Sequence, residues 1–207
     1  MSNLIQSFTT ISGASGPFIY REKQSKFLGY AFPAPTKEAA ERALEKLKKQ
    51  YADASHVCYA YRIGVDNTLL KAHDDGEPAH TAGSPILGQI TSFDFFNILV
   101  CVVRYYGGVK LGAGGLAQAY KEASKGALEE ARALKRRAAC LLRIQFQYES
   151  LDEVMSFISQ NRVQIRSQQM ELDCHMELVV SPDKSSSYCS RLKGIRGVQV
   201  NQKKTYL

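Results

Sequence analysis

Ile98-Leu-Val-Cys-Val-Val-Arg-Tyr-Tyr-Gly-Gly-Val-Lys-Leu-Gly-Ala-Gly-Gly-Leu-Ala117 decides how this chain is read. Ile98 to Val103 is an unbroken apolar run, the pattern of a strand covered on both faces. A helical pattern begins near Leu116. Between them lie Gly107, Gly108, Gly112, Gly114 and Gly115, with Arg104 and Lys110. Glycines let successive N–H groups face an anion, and a helix start adds its free N–H groups and dipole. The run lacks the Gly-Lys-Ser/Thr ending of a mononucleotide loop and the placement of a dinucleotide fingerprint. Two readings stand: contact with an anion or RNA backbone, or a tight strand-to-helix connection that needs glycine for geometry alone. The candidate anion- or RNA-binding residues are Arg104, Tyr105, Gly107, Gly108, Lys110, Gly112, Gly114 and Gly115.

Downstream, Leu116, Ala119, Tyr120, Ala123, Ala127, Ala131 and Leu134 form the apolar stripe of a helix expected over 116–134. Gly126 weakens it by about 1 kcal/mol relative to alanine. Lys135-Arg-Arg137 is expected to close it, where positive charge suits the dipole. The pattern then changes. Strands are expected over 140–148, 163–169, 172–180 and 198–200, with helices over 151–160 and 183–192. That βαββαβ order is a small split βαβ, ferredoxin-like domain. The expected division is a first domain of residues 1–137 and a second of 138–207.

Upstream, residues 25–32 read as a strand ended by Pro33 and Pro35. Thr36 suits a helix N-cap, and Ala40, Ala43, Leu44 and Leu47 follow at helical spacing over 37–50. Val57 to Ile63 reads as a strand, Asp66-Asn67 as a turn, and 68–71 as its return. His73-Asp-Asp-Gly-Glu-Pro-Ala-His80 and the residues to Pro85 read as a loop. Its carboxylates Asp74, Asp75 and Glu77 order the loop through backbone N–H groups or an arginine, ligate a divalent metal with the histidines, or serve a partner-binding or catalytic role. The acidic-turn reading is preferred. No metal site and no cofactor is expected.

The 207 residues carry 27 basic and 20 acidic side chains, a formal charge of +7, which favours acidic partners. The balance is uneven: residues 63–103 hold one base and five acids, and 104–138 hold eight bases and three acids. Hydrophobic residues make up 44%, enough for a sizeable core. Cys58, Cys101, Cys140, Cys174 and Cys189 form no CxxC pair, and their number is odd, so free thiols in a cytoplasmic protein are expected. No leader-like stretch and no run of membrane-crossing length is read, so no membrane partner is expected.

Three further sets of residues carry weaker signals. His56 and Cys58 share a strand face, but no oxyanion element accompanies them, and packing is preferred over a nucleophilic pair. Tyr59, Tyr61, Tyr105 and Tyr106 lie near Arg62 and Arg104 and offer stacking surfaces for unpaired bases, with core packing the default. Arg191, Lys193 and Arg196 around Gly194 and Gly197 form a small basic patch, read as a solvated end.

Three segments together resemble the YigZ/IMPACT family: Ser55-His-Val-Cys-Tyr-Ala-Tyr-Arg-Ile-Gly64; Asp74-Asp-Gly-Glu-Pro78 with Thr81-Ala-Gly83 and Pro85; and Val103 to Leu116. The resemblance covers nearly the whole chain and is that of a bacterial two-domain member. It implies a first domain like the left-handed β-α-β module of a small-subunit ribosomal protein and of elongation factor G domain IV. It implies a second domain like the ferredoxin-like domains of elongation factors. Eukaryotic members add an RWD-type domain and act in translational control by competing for the activator of a starvation-responsive kinase; no segment here corresponds to that domain. The family commonly has glycine where this chain has His80, and phenylalanine where it has Tyr106.

The expectation is therefore a cytoplasmic α+β protein, translation-linked and binding RNA or a ribosome, with a possible regulatory role. The alternatives are a protein-interaction module in translational stress control, or an enzyme on a phosphorylated or peptide-like small molecule. Whether it is an enzyme, its catalytic residues and its oligomeric state are left open.

Overall fold

The computed structural model describes residues 6–206. The strands are β1 (Ser7–Ile11), β2 (Ser15–Glu22), β3 (Ser25–Pro33), β4 (His56–Ile63), β5 (Leu69–His73), β6 (Ile98–Tyr105), β7 (Ala133–Gln147), β8 (Gln164–Gln169), β9 (Asp173–Val180) and β10 (Gln199–Tyr206). The helices are α1 (Lys37–Gln50), α2 (Gly83–Ser92), α3 (Gly112–Glu129), α4 (Leu151–Gln160) and α5 (Pro182–Lys193). The protein is α+β and divides into two compact units, 1–135 and 136–207.

In the first unit the sheet order is β2-β3-β6-β4-β5. β6 pairs antiparallel with β3 on one side and β4 on the other. Its central place explains the apolar run. Ile98, Val100 and Val102 face a core shared with Ile86 of α2 and Tyr120 of α3. Leu99, Cys101 and Val103 face a second core shared with Ala40 and Leu47 of α1. Strand alternation sends the next two residues to opposite sides, Arg104 with the α3 face and Tyr105 with the α1 face. The α1 start is as read from the sequence: the Thr36 side chain accepts from the Ala39 N–H at 3.2 Å.

Two expectations fail in this unit. The helix expected over 116–134 ends at Glu129, and Ala133 onward is extended in β7. No base lies in the last turn of α3, where Glu129 meets the unfavourable end of the dipole. The Arg132 carbonyl accepts instead from the Ser12 N–H at 3.0 Å, a non-local bond that local periodicity cannot register. Lys135 to Arg137 consequently lie in a strand and do not close a helix. The loop expected over 73–85 also begins and ends within regular structure, because His73 closes β5 and Gly83 opens α2.

Gly29 and Gly126 set how closely α3 lies on the sheet. A Cβ on Gly29 would stand 2.0 Å from the Ala123 carbonyl oxygen, and one on Gly126 would stand 2.3 Å from the Phe18 ring. The cost of Gly126 to the helix is thus offset by close packing on β2.

In the second unit the order is β8-β9-β7-β10, and every pair is antiparallel. Leu142, Ile144 and Phe146 of β7 share one face, as their spacing predicts, and pack with Phe157 of α4 and Leu192 of α5. Among the described residues no helix is long and apolar enough to cross a membrane. The five cysteines are free, and all but Cys189 are buried.

Candidate functional site: a cleft at the start of helix α3

β4, β6 and the turn before α2 build one end of the first unit. His56 and Arg104 are directly opposed across the β4–β6 ladder. Both face the side covered by α3. The Glu77 carboxylate, on the acidic turn, completes the group. Its Oε1 accepts from Arg104 Nη1 at 2.6 Å and from the Tyr120 hydroxyl at 2.7 Å, and lies 4.0 Å from His56 Nε2. The side chains of Arg104 and Glu77 are 6% and 3% exposed.

His56, Arg104 and Glu77 floor an open cleft of about 590 Å³. Its rim includes Ser55, Pro78, Tyr106, Lys110, Gly112 and Ala113. The first turn of α3 therefore borders the opening. No side chain caps that helix start, so its first N–H groups have neither an intrahelical nor a side-chain acceptor. Tyr106 is 47% exposed, and the Arg104 guanidinium lies 5.3 Å from its ring centroid. The face offers one exposed cation, a helix N-terminus and an aromatic ring, which together suit an anion joined to a planar group.

The acidic turn is ordered by its own carboxylates. Asp74 accepts from the N–H groups of His80, Ala82 and Gly83, at 3.0, 3.0 and 2.8 Å, and so caps α2. Burial pushes the Asp74 carboxyl up, but these three donors outweigh it and hold the group below its ordinary value. Asp75 accepts from Lys48 Nζ and the Val57 N–H, each at 2.8 Å, and these likewise outweigh burial and lower it. The Asp75 carbonyl accepts from His56 Nδ1 at 2.8 Å, which leaves His56 Nε2 facing Glu77 on the cleft side. The geometry of this loop draws backbone N–H groups and an arginine onto its carboxylates. Among the described residues no three histidine, cysteine or acidic side chains converge as metal ligands.

The glycine segment divides by role. A Cβ on Gly107 would stand 2.2 Å from the Gln24 backbone, and Gly108 and Gly112 have positive φ of 82° and 73°. Those three are required by chain geometry. Gly115 lies beside Leu111, whereas a Cβ on Gly114 would meet nothing within 4 Å. Gly112, Lys110 and Arg104 reach the cleft together.

Two of the expected site residues behave otherwise. Arg104 is not an open cation: its face of the strand is covered, and Glu77 takes its charge. Tyr105 turns to the α1 side, where it packs with that core and its hydroxyl donates to Asp53 at 2.9 Å. The ring at the cleft is Tyr106. The sequence reading left out His56 and Tyr120 as partners of Glu77. Strand alternation from the buried Val102 and Cys58 was the signal that places His56 beside Arg104.

Cys58 is not paired with His56. Its sulfur contacts the Asp74 carbonyl oxygen at 2.9 Å and the Tyr120 hydroxyl at 3.3 Å. Burial, with the neighbouring carboxylates, pushes its thiol up to about 12, against the lowering effect of the Tyr120 bond. In the second unit Arg191 lies over the Phe157 ring at 4.8 Å and donates to Asn161 at 3.0 Å, so it is packed along α4.

The architecture is that of a two-unit α+β protein with a cation-rimmed cleft at the start of α3 in its first unit. Residues 23–128 match the model of the Impact N-terminal domain. The chain is 30% identical over 178 residues to the IMPACT family member YvyE of Bacillus subtilis, covering 84% of this chain and 82% of that protein. It is 34% identical over 140 residues to the IMPACT family member YigZ of Escherichia coli, covering 67% and 69%. A crystal structure described as an hypothetical protein superposes with a TM-score of 0.69 at 25% identity, over 95% of this chain and 97% of that one. The chain belongs to the IMPACT family, in the two-domain form of its bacterial relatives.

Proposed function

We propose that this protein is a translation-linked, regulatory RNA- or ribosome-binding protein of the cytoplasm, and that the cleft at the start of α3 is its binding site. One observation carries the reading: Lys110, the uncapped α3 start and the Tyr106 ring share one opening above the Arg104–Glu77 pair. A cation and free backbone N–H groups suit phosphate, and an exposed ring suits a stacked base. Arg104 acts as a positioning residue, holding Tyr106 and Glu77, with Lys110 supplying the exposed charge.

The fold supports the same reading. The βαββαβ order of the second unit and its β8-β9-β7-β10 strand pairing support reading it as a ferredoxin-like domain. We take the first unit as the IMPACT-type domain, of the kind found in elongation factor G domain IV. The two together make a translation-factor-like pair, divided near residue 137.

The test is sedimentation of purified protein with ribosomes, and filter binding to total cellular RNA, at two salt concentrations. Saturable binding that weakens with salt supports the proposal, since phosphate contacts release counterions. Salt-insensitive capture of one protein, with no RNA or ribosome bound, replaces it with the protein-interaction reading.

A further inference from the structure

A helix start alone is no site, but three more features converge here. Arg104 Nε is buried and has no acceptor among the described residues, although Arg104 lines the cleft. Such a donor costs free energy unless a ligand or water accepts from it. His56 lines the same cleft, its ring fixed by the Nδ1 bond to the Asp75 carbonyl. Tyr106, beside the Arg104 guanidinium, leaves a ring face open next to the α3 start.

The charges of the cleft indicate which anion fits. Arg104 and Glu77 cancel as a pair. What remains is Lys110 and the α3 dipole, a full charge and about half a charge, so about +1.5. A phosphodiester carries about −1, whereas a phosphomonoester carries about −1.5 to −2 near neutral pH. The monoester is the better match. A cleft of about 590 Å³ is also of the size that holds a single small ligand.

We infer that the cleft binds the terminal phosphomonoester of a nucleotide, with the phosphate at Lys110 and the first N–H groups of α3, and the base against Tyr106. This rests on the RNA-binding reading and narrows it from strand backbone to a phosphorylated end. A free nucleotide presents the same chemistry, so the experiment separates the two sources.

The experiment is fluorescence anisotropy with one single-stranded RNA decamer in three forms: 5′-phosphate, 3′-phosphate, and hydroxyl at both ends. Adenosine monophosphate, adenosine and inorganic phosphate serve as competitors. Lys110→Ala and Tyr106→Ala are measured alongside, with thermal melts confirming that each is folded. The expected result is about tenfold tighter binding of a phosphorylated decamer than of the hydroxyl form, the size of one charge-assisted hydrogen bond. Lys110→Ala should erase that preference, and Tyr106→Ala should weaken every nucleotide probe while sparing competition by inorganic phosphate. Equal affinity for all three decamers, with salt-sensitive RNA binding intact, overturns this inference and leaves the RNA reading standing. Binding of adenosine monophosphate that Lys110→Ala abolishes, with no RNA or ribosome bound, upholds the phosphomonoester site and overturns the RNA reading. No binding of any probe overturns both.

Discussion

Glu77 Oε1 accepts from Arg104 Nη1 at 2.6 Å beneath the cleft, with both side chains more than nine-tenths buried. Removing one partner strands a charge in a covered site, which costs about 3–5 kcal/mol. Arg104→Ala should therefore lower stability by that amount in urea unfolding. Arg104→Met with Glu77→Gln should recover much of it, because the double change leaves no unpaired charge and keeps an oxygen that accepts from the Tyr120 hydroxyl. A loss well below 1 kcal/mol for Arg104→Ala would show that the pair does not organise the floor.

Gly126 lies within α3, and alanine there would gain about 1 kcal/mol by helix propensity alone. The Phe18 ring stands 2.3 Å from where the new methyl would sit. Gly126→Ala should accordingly destabilise the protein. Phe18→Ala combined with Gly126→Ala should cost less than the sum of the single changes, as read from denaturation midpoints.

His80 has φ of 64°, a left-handed conformation unfavourable for a residue with a Cβ. Its backbone N–H donates to Asp74, so the conformation is held by the α2 cap. His80→Gly should keep that bond and raise stability by about 0.5–1 kcal/mol, the backbone relief outweighing the added chain entropy. A lower melting temperature would contradict this account of the turn.

Asp74 and Asp75 both titrate below their ordinary range in the folded protein. Their contribution to stability is complete above the unfolded carboxyl value, about pH 4, and is lost as pH falls through the lower folded values. The Asp74→Asn, Asp75→Asn double variant should be less stable than the parent at neutral pH. The gap should close in the acid range, read from urea midpoints across a pH series. A constant gap would assign the effect to lost geometry and not to ionised carboxylates.

The Cys58 thiol is buried and pushed up to about 12, and Cys189 is the one cysteine that is not buried. Thiolate attack requires both ionisation and access. One thiol, Cys189, should react with a disulfide reagent in the native protein, with Cys58 reacting only on unfolding. Mass mapping after a short exposure checks the order.

The sequence carried the parts of this fold that local rules control. The both-face cover of Ile98 to Val103, the Thr36 cap and the βαββαβ series are set by periodicity and capping chemistry, which act over a few residues. The end of α3 was not legible, because a bond from Ser12 decides it from 120 residues away in sequence. Helix α2 was hidden by Gly83 and Pro85, whose composition reads as loop, and its cap comes from Asp74 at a distance. At the site, the glycine run and Lys110 were legible from spacing. The pairing of Arg104 with Glu77, and the exchange of Tyr106 for Tyr105, follow from strand alternation across three elements and emerge only once the register is known.

The central claim is that the cleft at the α3 start meets phosphate through Lys110, and the most direct measurement is the salt dependence of RNA binding by the parent and by Lys110→Ala. The account predicts weaker binding by Lys110→Ala and a log–log salt slope smaller by about one, the loss of one phosphate contact. An unchanged affinity and slope, in a variant that melts like the parent, would contradict it and place RNA or ribosome binding elsewhere on the protein.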